Sequence, residues 1–380
     1  MIRTCAGDPS AWLTRYQGKV PLFACVLSFT HTGTIPGISA AGKTPQSRRY
    51  TALADGEFLL GHMPSVRQPS ARQPDNRQPD RQSDTYVLPP LVAGVSPALI
   101  SRAIITRQSI PCCLLSTGLP EQLAAPHIAL PTVMARSLET GQAMTIQQVN
   151  QLWESGLYWG RQLAQAYADS YLILGECVVG GTTTAQAVFS ALGYDVAGQM
   201  GSSHPSGNHR QKQALVRKGL AIWRQRADLS ARAAVAAVGD PMQVVVAGMA
   251  IAASKTTGVM LAGGSQMLAV YALIKAISKA VSLPVSPQIV VGTTRWVIED
   301  KSANTVAIAR MIGAPYLASE LNFRASSYDQ LRAYEQGFVK EGMGAGGCAI
   351  AATLYKGWGQ SQIKQAIETE LRQGLEKDLS

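Results

Sequence analysis

The sequence predicts an α/β fold built on a parallel β-sheet with helices on both faces. Three observations predict it. Short apolar runs of strand length alternate with longer segments of helical spacing along most of the chain. Gly-rich turns follow several of those apolar runs. Apolar residues make up 46% of the 380 positions and charged residues 15%, enough to bury a sizeable core and to exclude a chain disordered as a whole. The length fits one large domain plus a smaller one, or two domains.

The elements follow in order. Residues 22–29 form an apolar run that reads as a buried strand. Residues 146–168 have helical spacing, with Thr145 as N-cap. Residues 170–174 are a short strand, and a helix over 183–192 is ended by Gly193. Residues 211–226 are amphipathic. Asp240 and Pro241 form a strong N-cap and first-turn pair, opening a helix to about Ser254. Strands at 258–261, 288–291 and 316–319 alternate with helices at 265–279, 304–312 and 328–337. The tail, 346–379, holds two helices. Repeated strand–helix units make crossovers, and so a parallel sheet covered on both faces. Such sheets bind ligands beyond the carboxyl ends of their strands, in the turns where the glycines gather.

The net charge is +10, from 34 basic and 24 acidic residues. It favours anionic partners. No dense Lys/Arg run and no stripe of aromatics among basic residues points to nucleic acid, and a phosphorylated small molecule accounts for the same charge. The six cysteines, at 5, 25, 112, 113, 177 and 348, show no metal-binding spacing and read as reduced thiols. No secretory signal follows Met1. The longest apolar runs, 22–29 and 244–253, fall short of the ~18 residues of a membrane span. A soluble cytoplasmic protein without metal, cofactor or membrane partner is expected.

Residues 64–84 are of low complexity: Arg-Gln-Pro recurs at Arg67, Arg72 and Arg77, with a decayed copy at Arg81. Almost no apolar residue occurs there, so the segment reads as a disordered surface insertion. Asp75, Asp80 and Asp84 nearly balance the arginines, which weakens a role as a basic tether.

Five motifs bear on chemistry. Gly37-Ile-Ser-Ala-Ala-Gly42-Lys43-Thr44 matches the P-loop pattern, but the strand that should precede it ends seven residues early. Pro45 also pushes Thr44 away from the helical region. A Gly-rich loop is the expectation, with Lys43 free to face an anion. Leu172-Ile-Leu-Gly175-Glu176-Cys-Val-Val-Gly180-Gly181-Thr182-Thr183-Thr184 reads as strand, turn and helix start. Backbone N–H groups and threonine hydroxyls at such a terminus cradle phosphate. Glu176 beside them suits a ribose hydroxyl or a base; the alternative is a plain turn with an N-cap. Gly201-Ser-Ser-His-Pro-Ser-Gly-Asn208 is a polar loop before a helix whose Lys212 could complete a phosphate site. His204 and His209 lack a third ligand nearby, so no metal is expected. Gly258-Val-Met-Leu-Ala-Gly263-Gly264-Ser265 repeats the strand, double-glycine, helix pattern, so two such turns could hold one phosphosugar. Last, Glu341 stands in a loop with Gly342, Gly344, Gly346 and Gly347, a density of glycine that suits close approach of backbone to ligand, or else a loose interhelix loop.

Together these motifs resemble the nicotinate-nucleotide:dimethylbenzimidazole phosphoribosyltransferases of cobalamin biosynthesis. Residues 176–184 are similar to that family's Gly-Glu-Met-Gly-Ile-Gly-Asn-Thr-Thr segment, and 341–345 to its Gly-Glu-Gly-Ser/Thr-Gly-Ala segment. A closer resemblance, along nearly the whole chain, is to an uncharacterised cyanobacterial and archaeal branch. Residues 35–42, 51–58 (with Asp55 and Glu57) and 335–347 carry it. The resemblance implies a three-layer, Rossmann-like α/β/α core, a small helical domain from the chain ends, and a homodimer. It implies transfer of phosphoribosyl from nicotinate mononucleotide to a purine or benzimidazole base, such as adenine or dimethylbenzimidazole, with inversion at the anomeric carbon. By carry-over, Glu341 is the general base and Glu176 supports it and holds the ribose. Gly180, Gly181, Thr182, Thr183 and Lys212 hold the 5′-phosphate, with Gly263 and Gly264 opposite. The expected divisions are 1–63 (first part of the core), 64–85 (insertion), 86–340 (nucleotide-binding core) and 341–380 (active-site loop and helices). The chain departs from the family at 178–181, Val-Val-Gly-Gly in place of Gly-Ile-Gly-Asn, at Cys177 in place of Met, and at Lys340 in place of Gly. A non-catalytic nucleotide-binding protein on the same fold is the competing expectation.

Overall fold

In a computed structural model of the chain, residues 1–42, 44–61, 91, 93–204 and 207–378 are described. Among the described residues eight strands form one sheet: β1 (Ile2–Ala6), β2 (Leu22–Ser28), β3 (Cys112–Thr117), β4 (Ile128–Ala129), β5 (Tyr171–Cys177), β6 (Gly258–Ala262), β7 (Ile289–Thr294) and β8 (Tyr316–Ser319). Their spatial order is β1-β8-β7-β6-β5-β2-β3-β4. Only β1 runs antiparallel, against β8; every other pairing is parallel. The chain leaves β2 toward β3 on one side, then restarts at β5 on the other and proceeds outward to β8. The crevice between β2 and β5 is therefore the topological switch point, where α/β sheets bind ligands.

Every residue of β2 and β5 is buried. Side chains alternate between two apolar layers, as the period of a strand requires. Ala24, Val26, Leu172 and Leu174 face one layer. Phe23, Cys25, Leu27 and Ile173 face the other. Helices cover both layers, giving the three-layer α/β/α arrangement expected. On the first face, helix Ile146–Ala166 packs on helix Pro241–Ala253. Gly156 and Gly160 make this contact possible: a Cβ at either would lie 2.4 Å from a carbonyl oxygen, of Val245 or Met249. Thr145 and Asp240 cap these helices in capping boxes with Gln148 and Gln243. On the second face, the chain-end helices Ser10–Tyr16, Ala345–Lys356 and Gln360–Asp378 share a layer with Ala98–Gln108.

Most expected elements lie within a few residues of their places. One boundary moves in a way that matters. β5 continues through Gly175 and Glu176, which pair with Cys25 and Val26. Gly175 was expected to begin the turn. It is instead a strand glycine, because a Cβ there would strike the Phe23 ring at 2.8 Å. Strands β1, β3 and β4 and helices Thr51–Leu60, Ala98–Gln108 and Ala231–Val238 were not anticipated. Helix Thr51–Leu60 is buried almost throughout, so its sequence carries no polar stripe to mark it.

After β2 come a 3₁₀ turn at His31–Thr34 and, beyond the Gly37 loop, another at Ser47–Arg49. Among the described residues no strand ends at Gly37 and no α-helix begins directly after Thr44. Lys43 and the 64–85 insertion lie outside the described residues. Among the described residues no helix is long and apolar enough to cross a membrane.

Candidate active site

Loops following β2, β5, β6 and β7 meet around a cavity of about 220 Å3 beside the switch point. Glu176, the penultimate residue of β5, lines it and is 3% exposed. Its Oε1 accepts from Gln266 Nε2 at 3.0 Å and its Oε2 from the Val178 N–H at 3.1 Å. Each oxygen keeps further capacity to accept. Burial, then the nearby Asp240 and Glu341 carboxylates, push its pKa up to about 8. Behind it, Asp240 accepts from Thr184 Oγ1 at 2.5 Å.

The chain leaves β5 through Gly180, whose φ of +85° and contact with the Gly33 backbone both require glycine. Helix Gly181–Ala191 then begins, its amino terminus facing the cavity through Gly181 and Thr182. The positive end of the helix dipole is thereby offered to whatever occupies the cavity.

Glu341 approaches from the opposite wall on a strained segment. Val339, Lys340 and Met343 have φ of +65°, +68° and +51°, a region L-residues rarely adopt. The Lys340 and Glu341 N–H groups each donate to a carbonyl two residues back, at 2.8 and 2.9 Å. Such backbone costs roughly 1–3 kcal/mol per residue and persists only where its surroundings over-determine it. Here they do. Glu341 Oε2 accepts from Thr293 Oγ1 and the Thr294 N–H, both at 2.9 Å. Its Oε1 accepts from the N–H groups of Gly342 and Gly346, at 3.2 and 3.1 Å. Lys340 Nζ pairs with Asp300 at 2.5 Å, with both side chains 5% exposed. Thr294 Oγ1 donates to the Lys340 carbonyl, and the Met343 N–H donates to the Glu176 carbonyl. Burial raises the Glu341 pKa to about 7, against the opposing pull of its four hydrogen bonds.

Of the residues singled out from sequence, Glu176, Glu341, Gly180, Gly181, Thr182 and Gly264 line this one cavity. Gly263, Thr183 and Lys212 stand behind its wall. Gly263 donates its N–H to the Gly292 carbonyl, which ties the β6 turn to β7. Thr183 is wholly buried, its Oγ1 without a hydrogen-bond partner among the described residues. Lys212 is wholly buried and donates to the Gly201 carbonyl at 2.6 Å, and burial lowers its pKa to about 7.

The fold also brings in residues that sequence reasoning did not assign. Asp300 and Lys340 pair across the cavity wall from positions 40 apart, and nothing local marks either. Asp55 lies in the cavity wall with Thr51 and Ser96; only the segment resemblance over 51–58 had pointed to it. Arg48 is 5% exposed and donates to the carbonyls of Gly33, Ile35 and Ser39. It fixes the loop whose residues 39–41 close the cavity.

Comparison with known proteins sets this chain in a family. The UPF0284 protein of Gloeothece citriformis is 52% identical over 368 residues, spanning 96% of this chain and 95% of that protein. The UPF0284 protein of Synechocystis is 52% identical over 376 residues, spanning 98% and 97%. The chain belongs to the UPF0284 family. Within this UPF0284 chain, residues 123–285 match the family model described as phosphoribosyltransferase (DBI_PRT). That segment includes Glu176, Gly180 and the helix start at 181–183, while Glu341 lies beyond it. Two solved structures from Thermus thermophilus share the fold at 16% identity. One is described as nicotinate-nucleotide-dimethylbenzimidazole phosphoribosyltransferase, with a TM-score of 0.55 over 92% of this chain and 86% of that one. The other is described as CobT, with a TM-score of 0.56 over 93% and 91%.

Proposed function

We propose that this UPF0284 protein transfers phosphoribosyl from nicotinate mononucleotide to a purine or benzimidazole base. The observation that carries the proposal is the meeting of Glu176, Glu341 and the Gly181 helix terminus on one cavity at the sheet's switch point. The match of residues 123–285 to the phosphoribosyltransferase model supports it.

In this mechanism the 5′-phosphate lies at the helix terminus, with Lys340 and the buried Lys212 as the nearby cations. Glu176 uses its open acceptor positions for the ribose hydroxyls. A ring nitrogen of the base attacks the anomeric carbon as the bond to the pyridinium nitrogen breaks. The departing ring keeps the electron pair and leaves as nicotinate, with no proton needed. The proton lost from the attacking base passes to Glu341, whose pKa near 7 suits a general base at neutral pH. All four of its acceptor positions are engaged at rest, so taking the proton opens one of those bonds. The longest is to the Gly342 N–H. The oxocarbenium-like transition state brings positive charge beside Glu341, whose carboxylate also raises the Glu176 pKa, and so is stabilised electrostatically. We take the enzyme to be a cytoplasmic homodimer, with the low charged fraction leaving uncharged surface for a second subunit.

The test is incubation of the purified protein with nicotinate mononucleotide and a panel of bases, following nicotinate by chromatography. Base-dependent release with formation of the base ribotide is expected. Saturable binding of the mononucleotide with no release from any base would overturn the transferase and leave a nucleotide-binding protein.

A further inference from the structure

Part of the cavity lining has a distinct chemistry. Leu91, Ala93, Pro97, Phe338 and Val339 make it apolar, which suits the ring of a base better than a phosphate. Lys340 extends toward Asp300 and the His204 carbonyl.

The same cavity is lined by Asp55, 4% exposed, on a helix that is otherwise apolar or buried. A carboxyl group in such surroundings needs hydrogen-bond donors. Asp55 Oδ1 receives one, from Ser96 Oγ at 2.6 Å. Among the described residues Oδ2 receives only the weak thiol donor of Cys177, at 3.5 Å. Asp55 lines the same cavity as Glu176 and Glu341.

We propose that Asp55, held by Ser96, selects an acceptor base that carries a hydrogen-bond donor on its ring, such as an exocyclic amine. The proposal rests on the transferase reading and adds to it the class of acceptor. An amine-bearing base supplies Oδ2 with the donor it lacks. A ring bearing only methyl groups or hydrogens covers that oxygen and leaves it unpaired, which costs binding in both ground and transition states.

Adenine and purine differ only by the amine, so they test this without any substitution. With nicotinate mononucleotide saturating, wild-type kcat/KM for adenine should exceed that for purine by roughly 10- to 100-fold, with dimethylbenzimidazole also below adenine. Equal values for adenine and purine would overturn the proposal. In Asp55→Asn, Ser96 retains the side-chain oxygen and the amide NH2 turns toward the ligand, where it opposes an amine. The adenine-to-purine ratio should then collapse toward one. If Asp55 only braces its helix, that variant would lower both rates together and leave the ratio unchanged. Calorimetry of the two bases separates this proposal from the activity. Tighter binding of adenine that is lost in Asp55→Asn, with no nicotinate release, would sustain the amine site while the transferase fails. Equal binding of both bases, or binding of neither, would sink the amine site.

Discussion

Glu176 and Glu341 share one cavity but are held in opposite ways. Glu176 sits in a central strand whose every residue is buried, and the sheet itself fixes its place. The turn after it is relaxed, with the single left-handed position given to Gly180. Glu341 sits in a segment where Val, Lys and Met occupy the left-handed region, and hydrogen bonds and an ion pair to other elements keep it there. The difference teaches that an acid on a strand is positioned by the backbone, whereas an acid on a loop needs partners of its own. It also separates the two in chemistry: Glu176 has acceptor capacity to spare for substrate, and Glu341 has none until a bond opens.

The largest test of this contrast is Glu341→Gln. It should lower kcat by about 10²- to 10⁴-fold while the calorimetric Kd for nicotinate mononucleotide changes little. Glu176→Gln should weaken that binding instead, and the reverse pattern would exchange the two roles. Next, Asp300→Ala should cost about 3–5 kcal/mol in urea unfolding, because it leaves Lys340 charged and buried without its partner. It should also abolish nicotinate release, since the Glu341 segment loses a tether. A loss below about 1 kcal/mol would mean that the segment holds itself.

A third test uses pH. The Glu176 pKa lies at about 8 in the folded protein against an ordinary 4.5, chiefly through burial. Between those values the folded state keeps a proton that the unfolded chain gives up. Its contribution is therefore full below the ordinary value and is lost as pH rises through about 8. The melting temperature of Glu176→Gln relative to wild type should climb across that window and level off above it. A difference independent of pH would show that this carboxyl is not held protonated. The smallest effect contrasts two valines. Val339→Gly should stabilise by about 1 kcal/mol, since glycine accepts positive φ. Val179→Gly in the relaxed turn should destabilise by about 0.5–1 kcal/mol. Equal signs would erase the contrast.

The same contrast explains what was legible in the sequence. Strand-and-turn features could be read because spacing encodes them: β8 falls at 316–319 as expected, Asp240 and Thr145 cap their helices, and the 176–184 motif stands at a strand end. Glu341 was legible as a glycine-flanked acid, but not its strain, since φ at Val339 and Lys340 is imposed from Thr294 and Asp300. Lys212 looked like a phosphate ligand by charge and helix position. Its burial and its contact with the Gly201 carbonyl come from the tertiary fold, which no spacing rule contains. Asp55 belongs to a helix too uniformly buried to show a pattern.

The antiparallel pairing of β1 with β8 bears on how the protein is made. Ile2 leaves the ribosome well ahead of its partner Ser319, which lies in a strand more than 300 residues later. At ordinary elongation rates the interval is on the order of 15–60 s. For that time the amino-terminal strand has no partner within its own chain, while β2, β3 and β5 can already pair. Arg3, on its exposed side, guards it against pairing with other nascent chains. Strand β1 is thus among the last elements to find its place, and anything joined ahead of it would be carried through most of assembly on a loose end.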